Sequence, residues 1–178
     1  MKIMKIAALA AALALLPLTG AFALSAGGFT WGQQYFDSQF SNCNLQTNFT
    51  GVYGFRVTHD GQRIGGFAMA IHSDATDPVV NGGFVGVITG QEMRAGILVA
   101  AVNVWTGIGG MTPAAVLPGS LALFGEVSLE VGMGFIPGVM LTGYAGMQAM
   151  TSTLASPSFF SNVLYTPVFG MRIAWGSY

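Results

Sequence analysis

From Ser120 to Phe135 the chain reads SLALFGEVSLEVGMGF, and this stretch limits the fold more than any other. Taken at every second residue, Leu121, Leu123, Gly125, Val127, Leu129, Val131, Met133 and Phe135 share one face. Ser120, Ala122, Phe124, Glu126, Ser128, Glu130, Gly132 and Gly134 share the other. Both carboxylates fall on one side and no charge falls on its opposite. Helical spacing would scatter the same residues around an axis, so the pattern is that of a strand. It is far longer than the usual strand of a soluble domain, about 5–6 residues. A tilted strand needs about 9–11 residues to cross a bilayer. A face that is apolar throughout, opposite one that is polar, predicts lipid outside and a polar lumen inside.

The N-terminus predicts export. Lys2 and Lys5 form a basic start, Ile6 to Leu18 an apolar core, and Ala21-Phe22-Ala23 a small-x-small cleavage site. Residues 1–23 therefore read as a secretory signal peptide and residues 24–178 as one mature domain. Two of the six basic residues leave with that leader, so four Arg face seven acids, a net charge of −3. That balance excludes nucleic acid as a partner, which needs a basic face. Cys43 is the single cysteine, so no internal disulfide forms, and it reads as a loop thiol. Only 7% of residues are charged, against about 25% in soluble domains, which points to a membrane or to self-assembly.

Along the chain the same period-two pattern recurs. A first strand over Gly28–Gln34 puts Phe29 and Trp31 on one face. A second, Asn48 to Thr58, sets Phe49, Tyr53, Phe55 and Val57 against Arg56, which is assigned to the lumen. His59-Asp60-Gly61-Gln62 predicts a hairpin turn. In the third strand, Arg63 to His72, Phe67, Met69 and Ile71 are assigned outward and Ala68, Ala70 and His72 inward. A fourth strand over 82–89 is followed by a turn at Gly90-Gln91-Glu92. A fifth, Met93 to Thr106, is apolar on both faces, and Gly107–Gly119 is a loop. Ser120–Phe135 is the sixth strand and Ile136-Pro137-Gly138 a turn. Val139–Met150 and Val163–Gly176 complete the set, with Thr142, Tyr144 and Gln148 polar on the seventh and Arg172 inward on the eighth. The expectation is an all-β, eight-stranded antiparallel up-and-down transmembrane barrel, with long loops at one end and short turns at the other. Two uncharged stretches, Ala95–Gly125 and Val131–Met150, are also long enough for membrane helices, but Gly and Pro punctuate both.

With its alternation, short turns such as His59–Gln62 and aromatic end at Tyr178, the mature chain resembles the small outer-membrane barrels of the OmpX, OmpA transmembrane-domain and OmpW type. The resemblance is architectural, and Tyr178 is out of phase with Trp175, Ile173 and Met171. It implies an outer-membrane location, lipid as the main partner and a monomer. Arg56, Glu126, Glu130 and Arg172 are assigned to a lumen ion-pair network, which in OmpA-like barrels plugs and gates the interior. OmpW-like members imply passage of small hydrophobic solutes, and membrane integrity is the companion expectation. The alternatives are adhesion through the loops at 37–46, 107–119 and 151–162, or a secreted structural β-protein.

No enzyme and no cofactor is expected: the chain has no Walker loop, no G-x-S-x-G and no Cys/His cluster. His72, Asp74 and Asp77 form too weak a set for a metal, and a solvated loop is the better reading. Trp31, Phe135 and Trp175 are expected in one aromatic girdle, and Phe49, Trp105 and Tyr165 in the other.

Overall fold

In the computed structural model, residues 26–36, 45–73, 81–111, 120–152 and 163–176 are described. The signal-peptide assignment, Cys43, Asp74, Asp77, Tyr178 and most of the long connections lie outside them. Eight strands run in chain order: β1 (Ala26–Phe36), β2 (Leu45–Val57), β3 (Gln62–Ser73), β4 (Asn81–Ala95), β5 (Leu98–Met111), β6 (Ser120–Ile136), β7 (Val139–Ser152) and β8 (Val163–Gly176). Each pairs antiparallel with the next and β8 returns to β1, so the sheet closes into a barrel. Where they are described, the two stretches that hydropathy alone would make helical are strand, in β5, β6 and β7, with the β4–β5 and β6–β7 turns between.

The pairing fixes the geometry of the wall. One circuit runs Gln62, Gln91, Val102, Leu129, Ala145, Phe169, Gln33, Asn48 and back to β3 at His72. From Gln62 to His72 the path climbs ten residues along one strand. A barrel of eight strands with that stagger tilts its strands by about 40° and leaves an interior that side chains can fill.

Three short connections lie at the same end as Ala26 and Gly176. Each uses a glycine with positive φ: Gly61 at 82°, Gly96 at 61° and Gly138 at 82°. Pro137-Gly138 has the residue order of a type II turn, where Pro pre-sets φ and Gly supplies the positive value. Thr58–Gly61 is closed by Gly61 N donating to Thr58 O at 3.0 Å. The β4–β5 connection corrects the sequence expectation. Gly90, Gln91 and Glu92 are not a turn but pair with Asn103, Val102 and Ala101 inside the β4–β5 ladder, and the chain reverses at Gly96-Ile97. Gly107 to Met111 likewise continue β5 rather than open a loop.

Burial separates the two faces. On β6, Leu121, Val127, Leu129, Val131, Met133 and Phe135 are exposed on the outside, while Phe124, Glu126, Ser128 and Glu130 are buried inside. β1, β7 and β8 follow their expected faces, with Phe29, Trp31, Phe169, Met171 and Trp175 outward and Thr142, Tyr144, Gln148 and Arg172 inward. β2 and β3 are inverted relative to the expectation. Phe49, Tyr53, Phe55, Phe67, Met69 and Ile71 point into the barrel, whereas Arg56, Ala70 and His72 are exposed on the outer surface. The physical reason is that these strands present apolar side chains to an interior that is itself partly apolar, so hydrophobicity does not identify the lipid face. Phe49 and Trp105 are interior residues for the same reason and do not belong to a girdle. Trp31, Phe135, Tyr165 and Trp175 are exposed outside.

Candidate functional site

Glu130 is the hub of the interior. Its Oε2 accepts from Arg63 Nη1 at 3.0 Å, Arg172 Nη1 at 2.9 Å and Asn103 Nδ2 at 2.9 Å. Its Oε1 accepts from the Thr142 hydroxyl at 2.9 Å. The period-two geometry of β6 places Glu126 one pleat pair away on the same face, where Oε1 accepts from Arg172 Nη2 at 2.7 Å. Arg63 also reaches Glu92 through Nε at 2.7 Å, and Arg94 closes the far side of Glu92. The set holds three arginines, Arg63, Arg94 and Arg172, against three carboxylates, Glu92, Glu126 and Glu130. Their charges cancel. All but Arg94 are almost wholly buried, where an unpaired charge would cost several kcal/mol.

From Glu126 the polar line continues. Gln148 Nε2 donates to Glu126 Oε2 at 2.7 Å, Gln34 donates to Gln148, and the Thr47 hydroxyl donates to Gln34 Oε1 at 3.0 Å. One hydrogen-bonded chain therefore runs from Arg94 near the turn end to Thr47 near the other. Each strand supplies at least one buried member.

The rest of the interior is aromatic. Phe67 lies 4.8 Å from the Trp105 ring and 5.5 Å from Phe124, and Phe124 lies 5.4 Å from Phe84. Glycines make room for these rings: a Cβ on Gly86 would stand 2.0 Å from Thr106 O and 2.8 Å from the Phe67 ring. Arg172 joins the two regions, its guanidinium 4.3 Å from the Trp105 centroid and 3.7 Å from the Tyr144 centroid. Cation–π contact of this kind gains strength where water is excluded. Buried Trp105 Nε1, Ser128 Oγ, Arg63 Nη2 and Arg172 Nε have no hydrogen-bond partner among the described residues.

Of the residues assigned to this network from the sequence, the structure brings together Glu126, Glu130 and Arg172. Arg56 is corrected: it is exposed on the outer face of β2, near the turn end, where its head group can reach water. Arg63 occupies the role instead. A signal for it was present, because Arg63 shares its face with Phe67, Met69 and Ile71, and a charge on a lipid-facing column argues for turning that column inward. Glu92 was hidden by the misplaced turn. Asn103 shares its face with Trp105 and carried no signal of its own. His72 is exposed, and its Nδ1 is 2.5 Å from Asn81 Oδ1. No metal-binding group of three or more His, Cys, Asp or Glu occurs among the described residues.

No family model matches the chain, and no curated protein matches it in sequence. Among solved structures it is similar to Neisserial surface protein A, at 8% identity and a TM-score of 0.64, over 85% of this chain and 96% of that one. It is also similar to the outer membrane enzyme PagL, at 11% identity and a TM-score of 0.53, over 83% of this chain and 98% of that one. At these identities the likeness is one of fold, the fold of small eight-stranded outer-membrane barrels.

Proposed function

We propose that the protein is a non-enzymatic barrel of the bacterial outer membrane that stays closed and contributes to envelope integrity. The outward belt of Phe29, Val127, Leu129, Val131, Phe169 and Trp175 supports a lipid surround, since monomeric soluble domains rarely leave so large an apolar surface in water. The observation that carries the closed state is the Glu130 hub. It ties β3, β5, β7 and β8 to β6 across the interior and leaves Arg172 only 1% exposed. Beside it Phe67 packs against Trp105 and Phe124, and Phe124 against Phe84. Ions crossing such an interior would have to displace paired charges from a buried site.

Conductance across planar bilayers tests this reading. The refolded wild-type chain is expected to give no steady ion current, and Arg172→Ala, which removes the tie between Glu126 and Glu130, is expected to give one. A sustained open-channel current from the unaltered protein would sink the closed-barrel reading.

A second reading, passage of small hydrophobic solutes, is favoured by one feature: the interior of β2 to β6 is a wall of Phe49, Phe67, Met69, Phe84, Trp105 and Phe124. Such a wall admits apolar molecules if its rings rearrange. Uptake of an apolar dye into proteoliposomes no faster than into lipid alone would remove it.

A further inference from the structure

The outer belt is not the same height all the way round. On β6 every outward position from Leu121 to Phe135 is apolar or glycine. On β2 the outward positions are Gln46, Asn48, Thr50, Val52, Gly54 and Arg56, so only Val52 and Gly54 separate polar Thr50 from charged Arg56. At ~3.3 Å per residue and a tilt of about 40°, Thr50 to Arg56 rises about 15 Å, whereas Leu121 to Phe135 rises about 35 Å. The neighbouring β3 is intermediate: its outward apolar run is Ile64, Gly66, Ala68 and Ala70, bounded by Gln62 and by His72, which is bonded to Asn81. Among the exposed large hydrophobic residues, β2 contributes none and β3 only Ile64.

The pairing tells how the rims move. From Thr50 the register runs through Ala70, Gly83 and Gly110 to Leu121. With ten residues of climb in eight strands, Leu121 stands five residues, about 12 Å, above Thr50. From Arg56 the register runs through Ile64, Thr89 and Val104 to Val127. Phe135 lies eight residues below Val127, hence three residues, about 7 Å, below Arg56. Both rims of the belt therefore converge on β2. A tilted barrel with a uniform belt would move both rims the same way, so tilt alone does not account for it.

We infer that the bilayer thins against β2 and β3, and that this protein deforms the membrane locally on one side. The inference rests on the membrane reading above. The occupant of the short side is lipid, because the stripe is continuous with the lipid-facing belt on both flanks, through Phe29 and Trp31 on β1 and Val85 and Val87 on β4. A short apolar span is met by thinning the bilayer there, with flanking polar side chains reaching for the interface.

Spin labels test it. In a full chain carrying Cys43→Ser, labels are placed singly by Thr50→Cys, Arg56→Cys, Leu121→Cys, Val127→Cys and Phe135→Cys. The protein is refolded into vesicles of a palmitoyl-oleoyl phosphatidylcholine, and collisions with oxygen and with a water-soluble nickel chelate are compared. Labels at Leu121, Val127 and Phe135 are expected to favour oxygen, and labels at Thr50 and Arg56 to favour the nickel chelate. Oxygen preference at Thr50 and Arg56 equal to that at Leu121 and Phe135 would overturn the inference, because the belt would then be uniform. Exclusion of both agents at Thr50 and Arg56 would also overturn it, since a second copy or another protein would cover the stripe. Nickel preference at Val127 would instead refute the membrane reading itself.

Discussion

Strands β2 and β6 belong to one wall and obey opposite rules. On β6 carboxylates face inward and aliphatic side chains outward. On β2 three aromatic rings face inward, while Arg56 and Thr50 face out. The difference follows from what each strand meets across the interior. β6 faces Arg63 and Arg172, so its inward positions supply counter-charges. β2 faces Trp105 and Tyr144, with Tyr53 5.8 Å from the Trp105 ring and Phe49 6.3 Å from that of Tyr144. The lesson is that alternation in a small barrel identifies two faces without saying which is inside. The inside is chosen by complementarity with the opposite wall.

Substitutions can break this contrast at either strand. The largest effect is expected from Glu130→Gln, which leaves Arg63 and Arg172 short of a shared buried carboxylate. Breaking a buried pair typically costs about 3–5 kcal/mol, and urea unfolding of the folded barrel in lipid should show a loss of that size. If the change is negligible, the ion pairs do not hold the interior together. Phe67→Ala attacks the aromatic half instead. A loss of about 3 kcal/mol is expected from the cavity it leaves between Trp105 and Phe124, with little change in the unfolding slope.

Exterior charge insertion sharpens the comparison from outside. Val127→Lys, at mid-height on β6, is expected to cost about 2–4 kcal/mol, and Thr50→Lys on β2 about 0–1 kcal/mol, as for residues at the membrane interface. Equal costs would mean that the two strands meet the same depth of lipid.

The smallest effect is expected in the β2–β3 turn. There the Thr58 hydroxyl donates to Asp60 and holds its carboxyl below the usual range. A lowered folded-state pKa stabilises the turn above the unfolded pKa, and that contribution is lost as pH falls through the folded value. Asp60→Asn should therefore change stability slightly at neutral pH and not at all in strong acid, which a pH series of unfolding midpoints will check.

How far the sequence discloses this arrangement depends on charge. β6 and β8 are legible because Glu126, Glu130 and Arg172 mark the inner face and large apolar residues mark the outer one. The bounds of β8 are those that the spacing predicts, and β6 ends one residue beyond its predicted end. β2 and β3 are misread because aromatic side chains suit either lipid or a packed interior, so only Arg63 could have broken the tie. The β4–β5 turn is missed because Gly90 is a strand glycine whose added Cβ would meet Asn103, 2.7 Å from its side-chain oxygen. Glycine marks turns and close packing alike, and sequence spacing alone does not separate the two uses.

The Glu130 hub also bears on how such a chain reaches its membrane. Its two arginine partners are 67 and 42 residues away along the chain, one on β3 and the other on the closing strand. No hairpin can neutralise Glu130, and a half-barrel that brings Arg63 to it still lacks Arg172, which arrives only with β8 and is the arginine that bonds Glu126. An incomplete sheet therefore carries bare charges on the face that will become its interior and is held in water by them. Closure and burial become one event, and the cooperativity of assembly is written into the bridge that Arg172 makes between Glu126 and Glu130.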